Sequence, residues 1–436
     1  MKLLLSFILL ISPYLAHARI VFDITDPLIA AKTEQMVISA DTVKLFWRIY
    51  NHPSHPLTPP QVLQKILEDS FLAEHARNNL PADALALENP MGFSKQAKRH
   101  NRLITLLKSH YQEDIKKVLP TNSLSQLYQF NNDINHQSLL KLLELKRALS
   151  VNATPEQQLQ AQKLIVANVT LGSKKSALTL WDIYQRQNMQ GRLALHKGDV
   201  KQLKSEVERA VGSLFIEYWA KNNIPKDDFA AIKQIILNEE QKTTFLKVKG
   251  LHHNMHDDNP ALLARAEQVS DAQVREFYED NKEEFEVIER AKARHLQVTE
   301  QALADQVHDE VEAGLDFAEA IKKYSIATDK NSANPGDLGW LTRKDKNRSW
   351  LHAVAFIQQA GKVSAPFRSP QGAGPIVYEI IMVDERVDGH LEITDPTVRY
   401  EASRDIALKE MKAEFKALSH KLQTEALVHV NKAALK

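Results

Sequence analysis

One short segment of the sequence has the residue types and spacing of a metal site. His252 and His256 stand four residues apart, so on a helix their imidazoles would lie on one face, where two nitrogens could bind Zn²⁺. The segment is mostly polar, and Gly250 and Pro260 flank it, which is typical of a solvated loop. We favour the loop and predict no bound metal and no cofactor.

A second candidate is His295, which lies in the short, strand-like segment 293–298. The segment predicts a strand, and a histidine there is either a hydrogen-bonded core residue or a catalytic one. The chain shows no phosphate-binding loop, no Ser-His-Asp arrangement and no basic patch, and its formal net charge is +1. Nothing therefore indicates nucleic acid as a partner.

The elements around His295 follow a regular order. Two helical segments come after its strand, and Gly314 and Gly361 have the character of helix stops. Gly336 and Gly339 flank an Asp-Leu pair, as at a turn that leads into a short strand. The apolar segment 376–383 predicts a last strand. The pattern predicts a small sheet with helices packed on it, which is an α+β unit.

This order resembles the parvulin family of peptidyl-prolyl cis-trans isomerases. The resemblance depends on four motifs in order, which are the His295 strand, the segment 336–340, the segment 363–366 and the final strand. It covers roughly a fifth of the chain. It implies a rotamase domain over residues 286–388, with a four-stranded antiparallel sheet and helices, in a protein of the α+β class.

The resemblance also implies a site. Rotation about an X–Pro bond has a barrier of roughly 18–20 kcal/mol, and a site can lower it by holding proline in an apolar slot and stabilising a twisted amide. By position, His295 matches the first family histidine, Asp329 the acidic residue and Ser369 the hydroxyl. Leu351 and Phe356 match the proline pocket, whereas the family methionine falls near Asn347 and is lost.

The second family histidine is missing. Glu379 takes its place, or Tyr378 does if the register slips by one residue, and we also expect Tyr378 to contact substrate. A His295–Glu379 pair would be charged or hydrogen-bonded. The domain is therefore expected either to isomerise X–Pro bonds weakly or to have lost that activity.

The first eighteen residues have the features of a signal peptide. Lys2 precedes the apolar segment 3–11, and Ala16 and Ala18 form a small-x-small cleavage site. We expect cleavage to leave Arg19 at the N-terminus of a soluble protein that is exported, to the periplasm or elsewhere outside the cytoplasm, without stable membrane insertion. The chain has no cysteine, so neither a lipid anchor on cysteine nor a disulfide is expected.

Outside the rotamase stretch the sequence predicts helices. Residues 19–285 are expected to form an all-helical, chaperone-like region, with a possible repeat near 61–83 and 205–227, or two corners that converge on similar capping. Residues 395–431 predict a long amphipathic helix and a terminal strand that return to this region. This arrangement is similar to that of SurA-type chaperones.

Three functions fit the sequence. The first is an exported folding factor that binds unfolded or partly folded polypeptides containing proline and accelerates cis-trans isomerisation. The second is a non-enzymatic holdase with a degenerate rotamase domain. The third is a factor dedicated to one secretion or surface-assembly system. The residue at position 379 separates the first two, because it decides the polar half of the site.

Overall fold

The computed structural model describes residues 19–89, 91–119, 123–145, 151–252, 259–345, 349–372 and 374–435. The chain divides into two compact units. The first contains the described residues up to Leu262 and those from Glu410 onward, and the second is Leu263–Lys409. Within the described ranges, no helix is both long and apolar enough to cross a membrane. The expected signal peptide, residues 1–18, lies outside them.

The elements are numbered in chain order. The helices are α1 (Ala40–Tyr50), α2 (Pro59–Asn79), α3 (Ala82–Ala86), α4 (Lys95–Lys117), α5 (His136–Leu142), α6 (Pro155–Lys163), α7 (Leu180–Tyr184), α8 (Met189–His196), α9 (Val200–Asn223), α10 (Lys226–Val248), α11 (Pro260–Ala266), α12 (Asp271–Asp280), α13 (Gln301–Glu312), α14 (Phe317–Tyr324), α15 (Trp350–Ala355) and α16 (Pro396–Glu425). The strands are β1 (Arg19–Val21), β2 (Ile29–Lys32), β3 (Val37–Ser39), β4 (Tyr128–Phe130), β5 (Ile165–Leu171), β6 (Lys174–Thr179), β7 (Glu286–Val298), β8 (Asp337–Thr342), β9 (Phe367–Arg368), β10 (Tyr378–His390) and β11 (Leu427–Val430).

The first unit is not all-helical, so that prediction is wrong. It contains a four-stranded sheet in the order β1-β11-β2-β3 and a three-stranded sheet in the order β4-β5-β6. Most of these strands have only three or four residues. Such segments are too short to show the two-residue period by which a strand is recognised in a sequence.

The C-terminal strand lies inside the first sheet. Ile20 of β1 pairs in parallel with Val428, and Ala31 of β2 pairs with Val430 in the antiparallel direction. Val428 is 1% exposed and belongs to the same apolar core as Phe46. The expected return of the C-terminal segment is therefore made by β11. In α16 the apolar stripe contributes less, because Phe415 is only half-buried.

The two corners of the possible repeat share their capping. Asn79 donates its side-chain amide to the carbonyl of His75 at 2.9 Å, and Asn223 donates to that of Trp219 at 2.8 Å. The helices that follow differ, because α3 has 5 residues and α10 has 23. The likeness extends over the corners and not over the helices that follow them.

The second unit has the expected sheet. Its four strands are antiparallel, in the order β8-β7-β10-β9. Because side chains alternate along a strand, β7 and β10 present two faces. Leu296 and Ile380 pack with α13 and α14 on one face, and Ala293 and Ile381 pack with residues of α15 on the other. We call the second of these the α15 face.

Candidate functional site

His295 lies near the end of β7 on the α15 face. Its backbone N–H donates to the carbonyl of Gly336 at 2.8 Å, which fixes the start of β8 against β7. The residue is 9% exposed, so its ring nitrogens require partners within the protein. They lie on two other segments of the domain.

The first partner is Glu379 on β10. Glu379 pairs with Gln297 and Ile381 pairs with His295 in the antiparallel register, so all four share the α15 face. Tyr378 points to the opposite face, where it packs with Leu296 and other apolar residues. Glu379 therefore occupies the position beside the histidine. The structure does not bring Tyr378 to this site, so its expected contact with substrate is not supported.

A chain of four polar side chains runs across the sheet. Gln297 Nε2 donates to Glu379 Oε1 at 2.7 Å, and Glu379 Oε2 lies 2.8 Å from Nδ1 of His295. On the other side of the ring, Nε2 lies 3.2 Å from Oδ2 of Asp329. Both imidazole nitrogens are therefore engaged by carboxylates, and Glu379 is 1% exposed.

This arrangement favours the charged imidazole. Burial by itself lowers the pKa of His295, but the hydrogen bonds and negative charges of Glu379 and Asp329 outweigh it, and the pKa is raised above its ordinary value of 6.5. As an imidazolium, His295 donates one N–H to each carboxylate. Two carboxylates around one cation leave the cluster with a net negative charge.

The raised pKa gives a testable pH dependence. Glu379→Gln should lower the pKa of His295, because burial remains while the charge and charged acceptor are lost. A raised folded-state pKa contributes stability below the unfolded pKa, and that stability is lost as the pH rises through the folded value. The advantage of the wild type over Glu379→Gln in free energy of unfolding should thus be greatest below about pH 6.5. A pH titration of the ring by NMR, together with urea unfolding, measures both. A higher His295 pKa in Glu379→Gln would contradict the assignment.

Apolar side chains lie on the same face. Leu351 and Phe356 are half-buried and pack against the core of the α15 face, as does Phe367 of β9. Phe367 stands directly opposite Glu379 in the register of β9 with β10. The ring of Trp350 packs on that of Phe367 at 5.2 Å between centroids and an interplanar angle of 80°. The structure thus brings an apolar surface beside the polar chain, as a proline-binding site requires.

Ser369 has a different neighbourhood. Its hydroxyl oxygen accepts the N–H of Val377 at 3.1 Å and donates to the carbonyl of Pro375 at 3.3 Å. It thereby fastens the loop between β9 and β10. The polar contacts of Ser369 hold the hairpin that carries Glu379, and they do not extend the polar chain.

Two other predictions, the lost methionine contact near Asn347 and the metal pair of His252 with His256, each involve a residue that the structure does not describe. Asn347 and His256 lie outside the described residues. No group of three or more metal-ligating side chains occurs in the part of the chain that the structure describes.

Sequence reasoning missed three residues of this surface. Gln297 stands two residues after His295, and the period of a strand alone would have placed both on one face. Trp350 precedes Leu351, and Phe367 begins β9 directly after the segment 363–366. The contribution of Phe367 depends on the register of β9 with β10, which the sequence alone does not give.

Comparison with known proteins agrees with this architecture. A family model described as a PPIC-type PPIASE domain matches residues 269–388. The chain carries a parvulin-type domain. The matched range begins before residue 286 and includes α12, whose N-cap Ser270 forms a capping box with Gln273. This PPIase domain contains His295, Asp329 and Glu379.

Several curated proteins are similar to parts of the chain. The foldase protein PrsA of Halalkalibacterium halodurans is 31% identical over 134 residues, which are 31% of this chain and 37% of that protein. The chaperone SurA of Pseudomonas fluorescens is 42% identical over 71 residues, 16% of each chain. The matches span 37%, 58% and 36% of the length of three PrsA relatives.

Solved structures are also similar. A SurA-like chaperone of Campylobacter jejuni is 18% identical, and the match covers 51% of this chain and 83% of that chaperone, with a TM-score of 0.21. PrsA of Bacillus anthracis is 21% identical and covers 52% of this chain and 84% of its own, with a TM-score of 0.20.

Proposed function

We propose that the protein is an exported folding factor whose PPIase domain binds proline-containing segments of unfolded polypeptides and isomerises X–Pro bonds slowly. The proposal depends on one observation, which is that both ring nitrogens of His295 contact carboxylates. Nδ1 lies 2.8 Å from Glu379 and Nε2 lies 3.2 Å from Asp329. The names of the PrsA and SurA relatives support a foldase or chaperone role, and the segment 1–18 supports export.

Binding of proline depends on the apolar half of the site. Trp350, Leu351, Phe356 and Phe367 lie on one face and are only partly buried, so they retain surface for a proline ring. Isomerisation requires no nucleophile and no metal, because only the partial double bond of the amide must be weakened. An apolar slot that excludes water contributes to that step.

Slow turnover is expected from the polar half of the site, which is His295 with its two carboxylates. An imidazolium that donates to two carboxylates has no N–H left for the substrate carbonyl. Ionised Glu379 can only accept hydrogen bonds, and its charge lies beside the surface where the amide would twist. Removing one oriented donor from a catalytic site costs roughly 10²–10³ in rate. The same observation favours a second candidate, a holdase that binds prolyl segments without turnover.

Variants of the polar chain test the proposal. Glu379→His should raise kcat/KM on a short X–Pro peptide by roughly 10²–10³, because it replaces an acceptor by a group that can donate. His295→Ala should lower the remaining activity. The measurement is peptide isomerisation by the full chain, followed by NMR exchange at several enzyme concentrations.

A matched control lies on the same strand. Glu385 is exposed on β10, and its carboxylate pairs with Lys292 at 3.5 Å. Glu385→His should leave the rate unchanged. If the wild type already isomerises the peptide as fast as two-histidine parvulins and Glu379→His gains nothing, the account of the site fails. Peptide binding without turnover in both proteins would identify the holdase.

A further inference from the structure

A cleft in the first unit has a lysine in its lining that forms no ion pair with another described residue. It lies between α4, α9 and α10 and has a volume of about 380 Å³. Leu103 and Ile236, which are 3% and 4% exposed, contribute apolar surface to it. Arg99, His100, Glu217 and Lys233 contribute the charged and polar lining.

Most of the polar lining is already paired. Arg99 donates to both carboxylate oxygens of Glu240 at 3.0 and 2.9 Å. Glu217 lies 3.2 Å from Nδ1 of His100 and 3.6 Å from Nζ of Lys221. These contacts offset the charges of Arg99 and Glu217, so neither requires a ligand.

Two cations are different, namely Lys233 in the lining of the cleft and Arg186, which contacts the lining residue His100. Lys233 is exposed over the ring of Phe229, and Arg186 donates to Nε2 of His100 at 3.4 Å. A guanidinium can only donate, so Nε2 of His100 accepts this hydrogen bond. Among the described residues, no carboxylate lies within ion-pair distance of Lys233 or Arg186. Burial lowers the pKa of Arg186, against the charges of Asp182 and Glu217, as expected for a half-buried cation without a direct counter-ion.

We propose that this cleft binds a polypeptide segment in which an aspartate or glutamate adjoins large apolar side chains. The apolar floor would take the aliphatic groups, and the carboxylate would pair with Lys233 at the rim. The inference rests on the polypeptide binding proposed above. It specifies which kind of polypeptide segment the first unit binds preferentially. It is independent of the PPIase site, because the probes contain no proline.

Two blocked peptides test the selectivity. Each has the sequence Ser-Gly-Leu-X-Leu-Gly-Ser, with X as Asp or Asn, and each is titrated into the full chain by calorimetry. The Asp peptide should bind about two- to fivefold more tightly, the effect of one exposed ion pair. In Lys233→Gln the two peptides should bind equally. Lys247→Gln is the matched control, because it removes one exposed charge from the same helix about 21 Å away, and it should preserve the difference.

Two results would overturn the inference, namely equal binding of both peptides to the wild type, or a preference for Asp that survives in Lys233→Gln. Suppression of aggregation of an unfolded model protein is measured in parallel. If suppression is intact while the two peptides bind equally, the cleft inference fails and the chaperone role stands. If neither suppression nor peptide binding occurs, both fail.

Discussion

A chain that ends at Glu425 is expected to lose the cooperative unfolding transition of its first unit. The truncation removes β11, which lies between β1 and β2, so β1 loses its neighbour in the sheet and β2 keeps only its pairing with β3. It also removes Val428 and Val430, which are 1% and 8% exposed. Burial of each side chain contributes about 1.5–3 kcal/mol, and the lost strand pairing adds to this. The total is a large part of the roughly 5–15 kcal/mol by which a domain is stable.

A second truncation provides the control. A chain that ends at Lys432 keeps β11 and loses only the C-terminal turn, so its first unit should still unfold cooperatively. Calorimetry of both chains beside the full protein measures the effect. The second unit, Leu263–Lys409, is complete in all three proteins. Its own transition should therefore persist. A chain ending at Glu425 that melts like the full protein would show that β11 is not a structural strand.

The sequence predicts β11 as a strand but not its partners. The alternation of valines at 428 and 430 is visible in the sequence, whereas Leu427 pairs with Arg19 at the opposite end of the described chain. Pairing in a sheet depends on backbone hydrogen bonds that any residue can make. For a strand this short, neither partner nor register follows from residue type. The same limitation concealed β2, β3 and β4 in a region that looks helical from its composition.

The PPIase site was more accessible to sequence reasoning because its elements are long. Both β7 and β10 have 13 residues, and their alternation determines which side chains share a face. Glu379 and His295 follow from that alternation once the register is known, and so does Gln297. The register itself could not be predicted, because the pairing of β10 with β7 is irregular beside Glu385. For that reason Tyr378 and Glu379 remained alternatives.

Gly336→Ala is expected to disrupt the site without changing any of its side chains. Gly336 has a φ of +70°, and a Cβ there would lie 2.3 Å from the carbonyl oxygen of His295. That oxygen belongs to the strand backbone, so β8 or His295 itself must move. The positive φ costs about 1–2 kcal/mol for alanine, and the steric conflict adds about 1–3 kcal/mol. The Gly336 carbonyl accepts the His295 N–H at 2.8 Å, so the imidazole should shift relative to Asp329. Both the rate of prolyl isomerisation and the free energy of unfolding should therefore decrease.

The variant Gly339→Ala separates the cost of the positive φ from the cost of the steric conflict. Gly339 has a φ of +66°, but an added Cβ would meet no atom within 4 Å. It should therefore lose only the conformational term of about 1–2 kcal/mol and keep the His295 ring resonances of the wild type. Urea unfolding and imidazole NMR of both variants measure the difference. Equal losses of stability, or unchanged His295 resonances in Gly336→Ala, would mean that β8 does not hold the histidine through this backbone contact. A larger loss in Gly336→Ala would show that the glycine-rich turn positions the carboxylate-bound imidazole.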